Sequence, residues 1–359
     1  MWSEVRLAAS VAERKPPAST WHREGKRLRA SARYETVITR RSTSPFLSVR
    51  CTMASGSGCG RNETGNRVIY GTKRKETAMA RKIAIVLFCL AALTTPSSGG
   101  PSGPDAGPIP PGEAGAKEAV ERSPRHHEWA DIVVPGKETK VAAFIAYPER
   151  KDKAPVVIVI QEIYGLTDWI RAVADRLAAE GFIAIAPDLL SGKGQGGGGT
   201  DKFGSRDDVV KAVRELSTPE VVAVLDAVSR YGRGLPAAKD KFATVGLCWG
   251  GGQSFHYATA QPDLDAAVVY YGTSPDLEAL GTIRAPVLGL YGEDDARVNA
   301  TVGPAAARMK ELGKTFIAHT YPGAGHGFLR AQDGRDGANL AASRKAWPAT
   351  IEHLKKHLE

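Results

Sequence analysis

The residues best suited to chemistry form a run from Gly246 to Gly251, with the sequence Gly-Leu-Cys-Trp-Gly-Gly. The segment 241–245 before it is typical of a short buried strand, and the segment 252–260 after it is typical of a helix. A strand, a tight turn and a helix together predict a nucleophile elbow centred on Cys248. The residues two before and two after the nucleophile press against the backbone, so both must be very small. The following helix points its N-terminus at the sulfur, which favours a thiolate.

A buried structural cysteine is the simpler interpretation of this motif, since free cysteines are often buried. The distribution of cysteines argues against it. Cys51, Cys59 and Cys89 all lie in the first hundred residues. A chain exported without that part would keep Cys248 as its single thiol, which favours a reactive role.

Candidate partners for the thiol follow it in the chain order that an elbow enzyme requires. Three acids follow the apolar run at 287–291: Glu293, Asp294 and Asp295. A glycine-rich loop after the run at 315–321 carries His326. We expect His326 to take the thiol proton and Asp295 to fix the imidazole, with Asp294 as the reserve candidate. A solvated surface histidine is the alternative for His326.

The loop after the apolar run at 156–160 supplies two further candidates. The backbone N–H groups of Trp249 and Ile163 are expected to form an oxyanion hole. Glu162 places an acid at the end of a buried strand, beside the nucleophile. A carboxylate there would raise the pKa of the thiol or accept its proton, whereas its simpler interpretation is a solvated loop residue.

The elements that must position these residues alternate between strands and helices. Apolar runs predict strands at 141–146, 156–160, 182–186, 241–245, 266–271, 286–291 and 315–321. Helical spacing predicts helices at 170–181, 206–231, 252–260 and 338–358. This alternation predicts an α/β fold over 126–359, with a mostly parallel central sheet, helices on both faces and no large lid domain.

The N-terminal third differs in composition from the rest. Residues 1–78 carry 16 Lys and Arg against 6 Asp and Glu and show no sustained period, so we expect a disordered or mis-annotated leader. Residues 79–100 have the basic start, short apolar run and small polar end of a signal peptide. Residues 101–125 are rich in Pro, Gly and Ala and predict a flexible linker. The sequence therefore predicts export to the periplasm or beyond, with no stable membrane association after cleavage.

The net charge of +9 comes from the leader rather than from the predicted domain. The remaining residues are close to neutral, so no nucleic-acid partner is predicted. No ligand cluster with metal spacing is visible, and hydrolysis needs only water, so neither a metal nor an organic cofactor is expected. We expect a monomer.

Taken together, these motifs resemble the dienelactone hydrolase family, the carboxymethylenebutenolidases, a cysteine branch of the α/β-hydrolases. The matching pieces are 161–165 (Gln-Glu-Ile-Tyr-Gly), 186–189, 246–251, 270–272, 292–295, 325–328 and the Trp-Pro pair at 347–348. The resemblance covers about 126–359 and implies the α/β-hydrolase fold. It also implies opening of a small ester or lactone through a thioester intermediate.

The resemblance assigns the nucleophile, base and acid to Cys248, His326 and Asp295. It implies that Glu162 holds the thiol in the resting state and releases it when an anionic substrate arrives. Arg330 matches an arginine that binds a substrate carboxylate, and Tyr164 is a further substrate-binding candidate. A second arginine of the family has no secure match, and Arg206 and Arg214 both stay open. The resemblance therefore implies a substrate that bears a carboxylate.

Two other functions stay open at this point. The same scaffold could serve a thioesterase or an acyltransferase. A non-enzymatic protein could keep the pocket for binding or use Cys248 as an oxidation sensor.

Overall fold

The computed structural model describes residues 109–138 and 140–359. The predicted leader at 1–78 and signal peptide at 79–100 lie outside the described residues, as do residues 101–108 of the predicted linker. The described part holds every residue proposed above for the site.

An eight-stranded sheet organises the chain. Its strands are β1 (His127–Ile132), β2 (Val141–Ala146), β3 (Ala154–Ile160), β4 (Ile183–Pro187), β5 (Ala238–Leu247), β6 (Ala266–Tyr270), β7 (Val287–Asp294) and β8 (Phe316–Gly325). Their order is β1-β2-β4-β3-β5-β6-β7-β8, with parallel pairing from β4 to β8 and antiparallel pairing of β1 with β2 and of β2 with β4. All seven residues of β3 are buried, as expected for a strand covered on both faces.

Helices cover both faces of this sheet. They are α1 (Ala116–Glu121), α2 (Asp168–Ala179), α3 (Arg206–Arg214), α4 (Thr218–Arg233), α5 (Trp249–Ala260), α6 (Ala296–Glu311) and α7 (Ala338–Leu358). Helices α3 to α6 contribute to one apolar cluster and α1, α2 and α7 to the other. The predicted mostly parallel α/β fold with helices on both faces is therefore confirmed. Among the described residues, no helix combines the length and the apolar character needed to cross a bilayer.

The single helix predicted over 206–231 is wrong, because the chain breaks it into α3 and α4. The Ser217 hydroxyl accepts a hydrogen bond from the backbone N–H of Glu220, and the Glu220 carboxylate accepts one from the backbone N–H of Ser217. This capping box, followed by Pro219 in the first turn, starts a new helix where the apolar spacing alone continues.

The flexible linker predicted over 101–125 is wrong for its described part, 109–125. A 3-10 turn (Glu113–Gly115) runs into α1, and Ala116 is fully buried. The Trp169 side chain donates a hydrogen bond of 3.0 Å to the Pro111 carbonyl. This segment, although rich in proline and glycine, is therefore docked on the domain. Composition alone cannot distinguish a docked segment from a flexible linker.

Candidate active site

The predicted elbow has a strained backbone at its centre. Cys248 lies between β5 and α5 with φ 57° and ψ −117°, a conformation that L-residues rarely adopt. A Cβ atom on Gly246 would lie 2.0 Å from the Gly250 carbonyl oxygen, and one on Gly250 would lie 2.3 Å from the Gln161 carbonyl oxygen. Both positions therefore require glycine, as the turn predicts, and the cysteine side chain projects from a fixed point.

Three side chains from three strand ends form a chain of contacts. His326 Nε2 lies 3.0 Å from Cys248 Sγ, and His326 Nδ1 lies 2.6 Å from Asp295 Oδ2. Asp295 follows β7, and His326 follows β8. The Asp295 side chain is only 7 % exposed and also accepts a hydrogen bond from the backbone of Val298 at the start of α6. The carboxylate is thereby held in place, and the imidazole bridges it to the sulfur.

The other two acids of the same loop have different partners. Asp294 pairs with Arg335, and Glu293 accepts a hydrogen bond of 2.9 Å from the backbone of Gly323. Of the three acids, Asp295 is the one in contact with His326. Within the described part of the chain, no group of three or more His, Cys, Asp or Glu side chains is arranged to hold a metal ion.

The surroundings of the sulfur favour a thiol. Burial is the largest effect and the nearby Glu162 carboxylate the next, and together they raise the pKa of Cys248 to about 11. The backbone N–H groups of Trp249 and Ile163 hydrogen-bond to the sulfur and oppose that rise. The sequence predicts a thiolate from the helix N-terminus, but burial and like-charge repulsion outweigh this contribution in the resting site.

Glu162 follows β3 and is almost completely buried, with 2 % of its surface exposed. Its carboxylate Oε2 lies 2.8 Å from Arg330 Nε. Burial raises the pKa of Glu162 to about 7, and the Arg330 charge opposes this rise. The simpler interpretation of a solvated loop carboxylate is therefore wrong, since the acid is buried, paired and close to the thiol.

Arg330 and Arg206 both lie close to the ring of the predicted Tyr164. The guanidinium carbon of Arg206 is 3.6 Å from the centre of the Tyr164 ring, and that of Arg330 is 5.3 Å away. Of the two arginines that the sequence left open, Arg206 is therefore the one that the structure brings to Arg330. Both guanidinium groups pair with Glu113. Sequence reasoning missed Glu113, because it lies in a segment whose composition indicates a linker.

Tyr271 is a second residue of the site that sequence reasoning missed, because the sequence did not place its side chain beside His326. Its backbone has φ 39°, and its ring centre lies 5.1 Å from that of His326. The ring is fully buried, and its hydroxyl has no hydrogen-bond partner among the described residues. Burial, with Glu162 and Cys248 nearby, raises the pKa of Tyr271 well above its ordinary value. The hydroxyl therefore keeps its proton and can serve as a donor.

The model of the dienelactone hydrolase family matches residues 141–358. A protein of Salmonella typhimurium assigned as a carboxymethylenebutenolidase is 32 % identical over 237 residues, which is 62 % of this chain and 86 % of the relative. One of Saccharolobus solfataricus with the same assignment is 31 % identical, over 60 % of this chain and 94 % of the relative.

A solved structure gives the same result in three dimensions. The crystal structure of a protein of Klebsiella pneumoniae assigned as a dienelactone hydrolase superposes with a TM-score of 0.56 and 29 % identity. The match covers 64 % of this chain and 99 % of that one. The resemblance inferred from the motifs is thereby confirmed. With its family model matched over most of the described residues, the chain belongs to the dienelactone hydrolase family of α/β-hydrolases and is a carboxylic-ester hydrolase.

Proposed function

We propose that this chain opens small esters or lactones through a Cys248–His326–Asp295 triad and an acyl-thioester intermediate. The observation that carries the proposal is the run of contacts of 3.0 Å and 2.6 Å that joins sulfur, imidazole and carboxylate at a strained turn. Nucleophile, base and orienting acid have this mutual geometry in enzymes that use covalent catalysis.

Acylation begins with the thiol, because the raised pKa of Cys248 leaves the sulfur protonated near neutral pH. His326 Nε2 takes the thiol proton while the sulfur attacks the carbonyl carbon of the substrate. Asp295 stabilises the imidazolium that forms. The carbonyl electron pair moves onto oxygen, and the N–H groups of Trp249 and Ile163, which already point at the sulfur, donate to that oxyanion.

Collapse of the tetrahedral intermediate breaks the bond from carbon to the leaving oxygen. His326 returns its proton to that oxygen, which leaves as an alcohol or, in a lactone, stays attached to the acyl group as a hydroxyl. Water then attacks the thioester, His326 accepts a proton from the water, and the carboxylic acid is released. Release of the acid breaks the carbon–sulfur bond, and His326 returns its proton to Cys248 Sγ, so the thiol is regenerated and the cycle needs no further reactant.

In this scheme Glu162 does not contact the substrate and acts through the thiol of Cys248. Its buried carboxylate raises the pKa of the Cys248 thiol and is itself paired with Arg330. The thiol of the resting site is therefore kept neutral between turnovers. A neutral thiol is a weaker nucleophile than a thiolate, which limits its reaction with oxidants between turnovers.

The test is turnover of a substrate panel by the wild type and by Cys248→Ala. The panel contains an uncharged aryl ester, an uncharged butenolide, cis-dienelactone and an aryl thioester. We expect the wild type to hydrolyse oxygen esters and the variant to lose that turnover. Turnover of the thioester alone would favour the thioesterase alternative, and transfer of the acyl group to an added alcohol in place of water would favour an acyltransferase. Equal activity of Cys248→Ala and the wild type would overturn the proposal.

We also infer that the mature protein is exported, because the signal-peptide pattern at 79–100 precedes a domain with Cys248 as its one cysteine. N-terminal sequencing of protein recovered from the periplasm or medium tests this. A new N-terminus between about 94 and 108, within the small and polar region that follows the apolar run, is the expected result. Recovery of the chain from the cytoplasm alone, with residues 79–100 still attached, would contradict it.

A further inference from the structure

Two arginines beside the candidate active site converge on one carboxylate of the chain itself. Arg330 Nη1 contacts Glu113 Oε2, and Arg206 Nη2 lies 3.5 Å from Glu113 Oε1. The Tyr164 ring lies against both guanidinium groups. Each oxygen of the Glu113 carboxylate thus faces a different arginine, which is how a pair of guanidinium groups recognises a carboxylate in a ligand.

This arginine pair is close to the reacting sulfur. The Nε atom of Arg330 lies 2.8 Å from the Glu162 carboxylate, and that carboxylate is near enough to Cys248 to raise the pKa of its thiol. Arg330 therefore pairs with both Glu113 and Glu162, and Glu162 is the acid next to Cys248. An anionic group on a bound substrate would be attracted to the same guanidinium groups.

Glu113 is held there by its own backbone and by its neighbours. Its backbone N–H donates a hydrogen bond of 3.0 Å to the Arg330 carbonyl. The carbonyl of Pro110 accepts one of 2.8 Å from the Gln332 side chain, and that of Pro111 accepts one from Trp169. These bonds attach three residues of the segment to the domain, so the Glu113 carboxylate is held at a defined position.

Arg330 already has a counter-charge within the chain. Two guanidinium groups, of Arg330 and Arg206, face two carboxyl groups, of Glu113 and Glu162. The Glu113 side chain is 45 % exposed and that of Arg330 is 18 % exposed, so the pair borders on solvent. A carboxylate on the substrate would add a further negative charge and would find the Nη1 side of Arg330 occupied.

We propose that Glu113 is a specificity-determining residue that fills the carboxylate position of this arginine pair and directs hydrolysis toward uncharged esters. This inference rests on the proposed function and replaces the carboxylate-bearing substrate that the family resemblance implies. The substrate class is a small, uncharged ester or lactone, for which the internal Glu113 carboxylate supplies the counter-charge to Arg330 and Arg206.

The test compares a matched pair of esters in the full-length chain: 4-nitrophenyl hydrogen succinate, which is anionic, and its uncharged methyl ester. For the wild type, kcat/KM should be higher for the uncharged ester. In Glu113→Gln, the ratio of anionic to uncharged kcat/KM should rise at least about tenfold, which corresponds to one gained charge-assisted hydrogen bond. Succinate should inhibit the variant at a concentration about tenfold lower than it inhibits the wild type.

Glu118→Gln is the matched control, because it removes the same charge from an exposed side chain of α1 that pairs with Arg122, the residue after that helix. It should leave the ratio at the wild-type value. A ratio unchanged in Glu113→Gln, or a wild type that already prefers the anionic ester, would overturn the inference. If the wild type hydrolysed neither ester, that result would instead overturn the proposed function. The succinate inhibition constant and the thermal midpoint show whether Glu113→Gln remains folded and competent to bind.

Discussion

Arg330 lies between two regions of the molecule that are built in different ways. On one side is the strand-end region, which we define as Glu162, Cys248, Asp295 and His326. On the other side is the N-terminal segment, residues 109–121. The Glu162 side chain is 3 % exposed, whereas the Glu113 side chain on the same guanidinium group is 45 % exposed.

The two regions differ in what holds them in place. The strand-end region is fixed by sheet register and by close backbone approaches, such as the one that requires glycine at Gly250. The N-terminal segment is fixed by a few hydrogen bonds to Arg330, Gln332 and Trp169. We infer that the first region sets whether the reaction occurs and the second sets which esters undergo it. Changes in the first should therefore act on all substrates, and changes in the second should act on the choice between them.

The largest effect is expected for His326→Ala, which removes the proposed base from the strand-end region. The variant should lose at least about a thousandfold in kcat/KM, and by the same factor for anionic and uncharged esters. His319→Ala, on the exposed part of β8, is the matched control and should retain activity. A loss confined to one class of ester would contradict the division between the two regions.

A smaller effect is expected for Glu162→Gln, measured as the pH dependence of Cys248 alkylation by iodoacetamide. The Glu162 carboxylate helps to raise the pKa of the thiol to about 11, so removing its charge should lower that pKa. The alkylation profile should move to lower pH by about one pH unit, which makes the thiol more reactive at pH 8. Glu149→Gln, at an exposed position, should leave the profile unchanged. A shift to higher pH would show that Glu162 acts by accepting the thiol proton and not by repulsion.

The smallest effect is expected for Gln332→Met, which removes one attachment of the N-terminal segment. Loss of the hydrogen bond to Pro110 should lower the free energy of unfolding by about 1 kcal/mol, as urea titration would measure. The ratio of anionic to uncharged ester turnover should move in the same direction as in Glu113→Gln, but less. Gln195→Met, at an exposed site, is the control. A large loss of activity on both esters would contradict this, because it would show that Gln332 affects the reaction itself and not the choice of ester.

The strand-end region could be predicted from the sequence because its restraints are either local in the chain or set by the order of parallel strands. Gly246 and Gly250 are two residues from Cys248 in the chain, and the steric reason for both lies in the turn itself. The chain order of Asp295 and His326 follows from parallel strands, whose carboxyl ends meet at one edge of the sheet. Seven of the eight strands could be predicted because apolar runs mark the buried strands. The strand β1, in which only Ile132 is buried, has no such run, and the helices α1 and α6 were not predicted from the sequence either.

The rest depends on contacts between residues far apart in the chain. Glu113 and Arg330 are brought together only by folding, and a segment rich in Pro and Gly has the same composition whether docked or free. The choice between Arg206 and Arg214 likewise needed the position of the Tyr164 ring. The protonation of Cys248 depends on the balance of burial and nearby charge, which the helix N-terminus alone does not fix.

The central claim is that Cys248 carries the acyl group during turnover, and peptide mapping by mass spectrometry tests it most directly. The full-length chain is mixed with an uncharged aryl ester, quenched in acid during the first turnovers and digested for peptide mapping. The account predicts one added acyl group on the peptide that contains Cys248, labile to hydroxylamine as a thioester is, and no adduct in Cys248→Ala. An adduct on another residue that accumulates and decays at the rate of turnover, with Cys248 unmodified, would contradict it.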